Sequence, residues 1–412
     1  MQLNHGLHLA YCTNIHRGET WGETFGALKK HALAVRERVY PRAPFAIGLR
    51  LGNQAAVELS GRKTLLEFQK WLEKNSCYVF TINGFPYGRF HGTRVKEQVY
   101  APDWTSPKRH IYTNLLFDLL VKLLPDGIEG SVSTVPGSFK EFVAPASRRC
   151  VSARTPAFEK LTGETPVPLL KVIYQNLWRC VEHITRVGER ANRQLHLCLE
   201  PEPLCLLENS GETIQFFEQL RAEHKNDPRL YEHLGVTYDC CHFAIEFEEP
   251  QNAIAALQQA GIKISKIHLS SALKTKATKE ARAALKTFAD DVYLHQVIAR
   301  GENGKLQFFR DLPDALSHRS PSATRHSEEW RIHFHVPLHA PASPPFDNTN
   351  DHLLGALDLL AANPKLCSHL EMETYTWEVL PPELKARSVV EQLAAEYDWT
   401  LARLAERGLA NR

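Results

Sequence analysis

Four acidic or imidazole side chains stand where short apolar runs end, in residue types that together hold metal ions. LHLCLEPEP ends its run on Glu200, and alternation puts Leu195, Leu197 and Leu199 on one face and His196, Cys198 and Glu200 on the other. GVTYDCCHF ends on Asp239, with His242 three residues on, and KIHLSS carries His268 with Ser270 on its face. HLEMETYTW offers Glu371 and Glu373 on one face; Glu373 is the leading ligand and Glu371 its reserve. Carboxylates and imidazole without thiolate suit one divalent metal ion, and the residue types do not choose among Mn, Zn, Mg, Fe and Co. Cys240 and Cys241 lie between these candidates, but adjacent side chains point in different directions, so both are assigned to packing.

The four runs lie far apart in the chain, so the fold has to bring their ends together. Short apolar runs alternate with 3.6-period stretches throughout, the pattern of parallel strands joined by helical crossovers. Strands are expected at 7–12, 45–51, 77–82, 129–135, 195–200, 235–240, 264–270 and 369–374, and eight strands close a barrel. Helices are expected at 19–38, 61–74, 109–124, 155–188, 212–225, 251–260, 277–289, 349–362 and 383–408. Ser60 suits an N-cap before the Leu65, Leu66, Phe68, Trp71, Leu72 stripe, and Gly261 suits a left-handed C-terminal position. The predicted fold class is α/β, a (β/α)8 TIM barrel forming a single domain over 1–412. In such a barrel all strand C-termini ring one mouth, which converges Glu200, Asp239, His268 and Glu373.

Residues 290–345 break the alternation. Two β-like runs flank Glu302-Asn303-Gly304, a hairpin signal, and a Ser/Pro/Arg-rich stretch precedes the β-like RIHFHVPLH. The segment is read as an insertion between strands seven and eight, lying over the mouth as a lid; the alternative makes RIHFHVPLH a barrel strand. His333 and His335 alternate onto one face, with His339 beyond, and are candidates for a second metal site or for a lid strand.

Other strand ends supply substrate-binding candidates: His16 with Thr13 and Asn14, Asn83 with Phe85 and Tyr87, and Lys96 near His91, Tyr100, Asp103 and Trp104. An amide, an ammonium and aromatic rings can orient a polyhydroxylated or aromatic ligand.

Composition narrows the function class. With 49 Lys+Arg against 47 Asp+Glu, the chain has no basic field for nucleic acid. Hydrophobic residues at 43% supply a sizeable core, but no apolar run is long enough for membrane insertion. Nine scattered cysteines without C-x-x-C predict reduced thiols, and with no secretory N-terminal pattern the expected location is cytoplasmic.

Glu-Pro, Asp-x-x-His, apolar-His-apolar-Ser and Glu-Thr-Tyr at successive strand ends resemble the xylose isomerase-like TIM barrel superfamily, which includes sugar isomerases, sugar 3-epimerases and endonuclease IV. That resemblance implies metal ligation by Glu200, Asp239, His268 and Glu373, acid/base catalysis by Glu200 and Glu373, and substrate contact by His242. LAYCTNIHRGETW, FTINGFPYGRFHGTRVKEQVYAPDW, STVPGSFK, LCLEPEP, YDCCH, KIHLSSAL, RIHFHVPLH and HLEMETYTWEVLP further resemble the EboE family of metabolite traffic proteins. This second resemblance implies partners from the Ebo cluster: a prenyltransferase-like membrane protein, a TatD-like hydrolase and a dehydroquinate synthase-like enzyme. The expected function is a metal-dependent sugar isomerase or epimerase acting on a small polyol or keto intermediate of that pathway. The alternative is a non-catalytic metabolite carrier. Phosphodiester cleavage is disfavoured by the near-neutral charge, and oligomeric state is left open.

Overall fold

The computed structural model describes residues 1–143, 167–318, 328–380 and 387–411. Eight strands form a closed, all-parallel barrel: β1 (His8–Cys12), β2 (Phe45–Arg50), β3 (Cys77–Asn83), β4 (Gly130–Thr134), β5 (Leu195–Leu199), β6 (Leu234–Asp239), β7 (Lys263–Leu269) and, after five intervening strands, β13 (His369–Met372). β13 lies between β7 and β1, pairing Glu371 with His268 and Ala10 with Glu371 in register. The expected apolar runs coincide with these strands to within two residues at each end. Both strand faces are buried, which is why the runs read as nearly continuous apolar segments.

Helices fill the crossovers. Thr20 and Glu23 form a capping box on the first, and Ser388 and Glu391 form one on the last. Pro107, Pro228 and Pro250 open helices, where their missing N–H leaves no bond unmade. Gly261, at φ +64°, follows the helix Pro250–Gln259 as its position predicts. Ser60 is not an N-cap. An additional helix, Asn53–Leu59, ends on Ser60, whose hydroxyl donates to Val57 O, and Gly61 precedes the helix Arg62–Lys74. That helix buries Leu65, Phe68 and Leu72, while Leu66 is exposed, so the core stripe is narrower than the run of apolar letters. The expected helices 155–188 and 383–408 begin outside the described residues; their described portions are Val167–Ala191 and Val389–Ala405.

Between β7 and β13 the chain builds a second, antiparallel sheet. Its strands are β8 (Ala272–Lys276), β9 (Val297–Arg300), β10 (Leu306–Phe309), β11 (Glu329–His335) and β12 (Phe346–Asn348), in spatial order β10-β9-β11-β8-β12. The Glu302-Asn303-Gly304 signal marks the β9–β10 hairpin, where Gly304 adopts φ +75°. RIHFHVPLH therefore contributes to this sheet and not to the barrel. Trp330, Ile332 and Phe334 pack with Leu273, Val297 and Phe288 in a separate core, leaving the alternate residues of β11 free to face another surface. The Ser/Pro/Arg-rich residues 319–327 lie outside the described residues.

The barrel lumen departs from the aliphatic layers usual for this architecture. Ser131 Oγ donates to Thr81 Oγ1 at 2.8 Å and meets His369 Nδ1 at 2.9 Å; higher up, Lys266 Nζ donates to Ser133 Oγ at 3.1 Å and Glu371 Oε2 at 2.8 Å. Burying charge at this depth is tolerable because each ion has an opposite partner. Every described cysteine is a buried free thiol, and among the described residues no helix is long and apolar enough to cross a membrane.

Candidate metal centre

Asp239 ends β6 and caps the helix Cys240–Ile245, accepting a hydrogen bond from His242 N at 3.0 Å. The Asp-x-x-His spacing is thus an N-cap and its third helical residue, a geometry that sets both side chains at the mouth. Ser270 Oγ donates to the same Asp239 oxygen at 2.7 Å and accepts from Cys241 N at 2.9 Å, tying the end of β7 to that cap.

His268, on β7, is the hub. Its Nδ1 lies 3.1 Å from Glu200 Oε1, 3.2 Å from Asp239 Oδ2 and 2.8 Å from Glu373 Oε2. Glu200 and Glu373 each sit one residue beyond their strands, with backbone N–H groups bonded to Thr134 O and Leu269 O of the neighbouring strands. Glu200, Asp239, His268 and Glu373 are all buried, and each offers a ligand atom within 4.8 Å of the others. The donor set fits a divalent ion: three carboxylates converge on one imidazole nitrogen, and Glu200 Oε2 is buried without a hydrogen-bond partner. Burial opposes charge on His268, but Glu373 and Glu200 outweigh it and raise its pKa well above the ordinary range.

The far side of His268 is equally fixed. Its Nε2 lies 3.2 Å from Glu371 Oε2, so the reserve candidate for Glu373 stands behind the histidine and beside Lys266. Alternation could have found Lys266, which shares a strand face with His268; nothing local in the sequence pairs it with Glu371. Asn14 Nδ2 donates to Glu373 Oε1 at 2.5 Å.

Glu200 and Glu373 of the centre line a cavity that reaches solvent. Its polar lining is Asn14, Glu200, Glu202, His242, His333 and Glu373; its apolar lining is Phe85, Pro86, Phe90, Val95, Val99 and Leu294, with the rings of Tyr100, Tyr293 and Tyr375. Asn83 lines the cavity, with its Oδ1 accepting from Phe85 N at 3.1 Å. Lys96 also reaches it, but its Nζ donates to Asp290 O and Asp311 Oδ2, both at 2.7 Å, and so fastens the loop after β3 to the segments before β9 and after β10. His16 lies elsewhere. It bonds the Tyr11 hydroxyl, stacks on His31 and borders a separate small cavity with Arg17 and Arg50; burial and the neighbouring His31 and His91 push its pKa down to about 3.

Sequence reading missed Glu202 and Tyr375 in the lining, and Gln296, whose Oε1 lies 2.7 Å from His333 Nδ1. Tyr100 OH donates to Glu202 Oε1 at 2.7 Å, and burial pushes the Glu202 carboxyl well above its usual range. His333 and His335 lie beside His242, with ring centroids 4.7 Å and 5.7 Å from it, whereas His339 is outside every described group of metal-type side chains. Burial, then His242 and His335, hold the His333 pKa well below its ordinary value.

No protein-family model matches the sequence, and no curated protein matches it. Solved structures do. A xylose isomerase-like TIM barrel protein from Mycobacterium smegmatis, in complex with magnesium, has a TM-score of 0.52 and 13% identity, covering 99% of each chain. A xylose isomerase domain protein from Alicyclobacillus acidocaldarius subsp. acidocaldarius has a TM-score of 0.47 and 11% identity over 97% of this chain and 99% of that one. The IOLI protein with a zinc atom has a TM-score of 0.47 and 10% identity over 97% and 98%. The closed parallel barrel and the first of these likenesses establish one conclusion: this chain has the xylose isomerase-like TIM barrel fold.

Proposed function

We propose that the protein is a metal-dependent isomerase or epimerase acting on a small polyol or keto intermediate, with Glu200, Asp239, His268 and Glu373 as metal ligands. The observation that carries this reading is the convergence of three carboxylates on His268 Nδ1, with Glu200 and Glu373 lining a cavity open to solvent. A bound divalent ion supplies Lewis-acid polarisation of adjacent carbonyl and hydroxyl oxygens. Glu200 and Glu373 are the acid/base pair: they follow β5 and β13, with β6 and β7 between them, so they approach a bound ligand from two sides. Asn14 orients Glu373, while the unpartnered Glu200 Oε2 is available to hold a proton. His242 stands against the ligand, and Asn83 borders the same space. The apolar part of the lining favours a substrate that also presents carbon-rich surface. Lys96 serves as an anchor for the cavity rim, and His16 supports the base of the first loop.

The strings that resemble the EboE family motivate placing the chain in a cytoplasmic metabolite biosynthesis and traffic pathway, acting as one domain with its second sheet as the cavity cover. Incubation of the metal-loaded protein with keto-polyol candidates in heavy water tests the reaction. Deuterium should enter the carbon beside the carbonyl, and Glu200→Gln should abolish its entry. Stoichiometric binding without exchange would favour the carrier reading instead.

A further inference from the structure

Glu373 Oε1 is held by a run of hydrogen bonds that begins at a cavity-lining ring. Tyr293, in the segment before β9, lines the cavity, and its hydroxyl lies 2.5 Å from His91 Nδ1. The other ring nitrogen, His91 Nε2, is 2.6 Å from the backbone oxygen of Asn14. The Asn14 side chain in turn donates from Nδ2 to Glu373 Oε1 at 2.5 Å, while Glu373 Oε2 is the oxygen that faces His268 Nδ1. All four residues are buried.

The polarity of this run follows from its chemistry. A backbone oxygen only accepts, so His91 Nε2 carries the hydrogen; in the neutral ring Nδ1 then offers a lone pair, and the Tyr293 hydroxyl donates to it. An ionised carboxylate also only accepts, so turning the Asn14 amide round would set Oδ1 against Glu373 Oε1. Three donors therefore point the same way, from Tyr293 to Glu373, and buried bonds aligned like this polarise one another. The members come from four distant parts of the chain: the segment before β9, the loop after β3, the turn after β1 and the end of β13. Other bonds already fasten those parts. Val292 O accepts from Val95 N and Lys96 N, both at 2.9 Å, Tyr293 N donates to Asp290 Oδ1 at 2.9 Å, and Thr13 Oγ1 donates to Gly48 O at 3.0 Å. The Tyr293 hydroxyl is thus spare as a loop fastener, and its bond to His91 acts on what lies beyond.

We propose that Tyr293 and His91 are positioning residues for Glu373, acting through Asn14 to hold Oε1 and so aim Oε2 at the metal. The inference rests on the reading of Glu373 as metal ligand and base. Tyr293, Asn14 and Glu373 all line the cavity, so a ligand there meets the first and last members of the run together. The segment leading into the second sheet is in this way tied to the group that moves the proton.

Co²⁺ titration followed by visible absorption tests this on the natural protein and on Tyr293→Phe, which keeps the ring and loses only the hydroxyl. Co²⁺ affinity should fall at least about twofold, the low end for residues that act through others, with an altered cobalt spectrum. In an Asn14→Ala background the same substitution should have no further effect. Unchanged Co²⁺ affinity and spectrum in Tyr293→Phe overturn the proposal. So does an equal loss with and without the Asn14 side chain, which a packing role for the hydroxyl predicts. Nitrogen-15 NMR of histidine-labelled protein, with the His91 signals assigned by their loss in His91→Gln, gives a reading independent of metal: hydrogen on Nδ1 instead of Nε2 reverses the run and overturns it. If the natural protein takes up no Co²⁺, the metal reading falls by itself, and the Asn14 side-chain amide signal decides the run. A shift of that signal in Tyr293→Phe upholds it; no shift overturns it.

Discussion

Glu371 Oε2 lies 3.2 Å from His268 Nε2, on the side of the ring opposite the three carboxylates that meet its Nδ1. Burial opposes ionisation of Glu371, but Lys266 and His268 outweigh it and hold the carboxyl down to about 2. A carboxylate in this place fixes the ring's orientation and increases its basicity toward a metal. Glu371→Gln should therefore lower metal affinity about 10–100-fold while every direct ligand remains. Chelator competition measures this; unchanged affinity would show that the contact is structural alone.

Gly48 makes room for that carboxylate. A Cβ there would stand 1.8 Å from Glu371 Oε1, and Glu371 cannot swing away without leaving Lys266 and His268. Gly48→Ala should destabilise the fold by about 1–3 kcal/mol through overpacking and weaken metal binding as well. Thermal melting with and without added metal separates the effects: a variant that melts early but binds metal normally would break the proposed link.

Direct ligands should matter more. Glu200→Ala, Asp239→Ala or Glu373→Ala should each cost at least about tenfold in metal affinity, the lower bound for losing an outer-shell partner. Natural metal content in the Glu200→Ala, Asp239→Ala double variant would refute the ligand set.

Glu396 gives a pH signature away from the metal. It accepts hydrogen bonds from Gln392 Nε2 and Thr374 Oγ1, both at 3.0 Å, and burial pushes its pKa up to about 7. The folded state thus binds this proton more tightly than the unfolded state does. Stability from this group is present below the ordinary glutamate range and is lost as pH rises toward 7, by up to about 3 kcal/mol at 1.36 kcal/mol per unit. Glu396→Gln should flatten that decline and leave the protein more stable at pH 8. Parallel melting curves against pH for both proteins would contradict the assignment.

The rim predicts a change on ligand binding. Tyr293, Leu294 and His333, all between β7 and β13, line the cavity, while the β9–β10 hairpin tip around Glu302 is exposed. If this sheet closes over substrate, amides of Val297–Phe309 should exchange more slowly with ligand bound. Equal protection in both states would reject closure and leave the metal assignment untouched.

Much of the barrel is local and therefore legible in the chain. A parallel strand buried on both faces must be apolar over several residues, and a crossover helix must carry a 3.6-period stripe, so all eight barrel strands can be marked from the sequence. Their closure also determines that Glu200, Asp239, His268 and Glu373, at or near strand ends, share one mouth. Ser60 and Leu66 show the limit of local pattern: an extra helix claimed the serine, and the true packing direction left the leucine in water. The five strands between β7 and β13 were only partly legible, because antiparallel pairing depends on register between distant segments. Only the tertiary structure decided that Glu371 backs His268, that the Lys96 ammonium is held by Asp311, and that His16 faces another cavity. It also brought His333 and His335 from β11 against His242. Residue type specifies which atoms can bind a proton or a metal, but the direction of a lone pair depends on which carbonyl holds the other ring nitrogen. That carbonyl comes from a remote part of the chain.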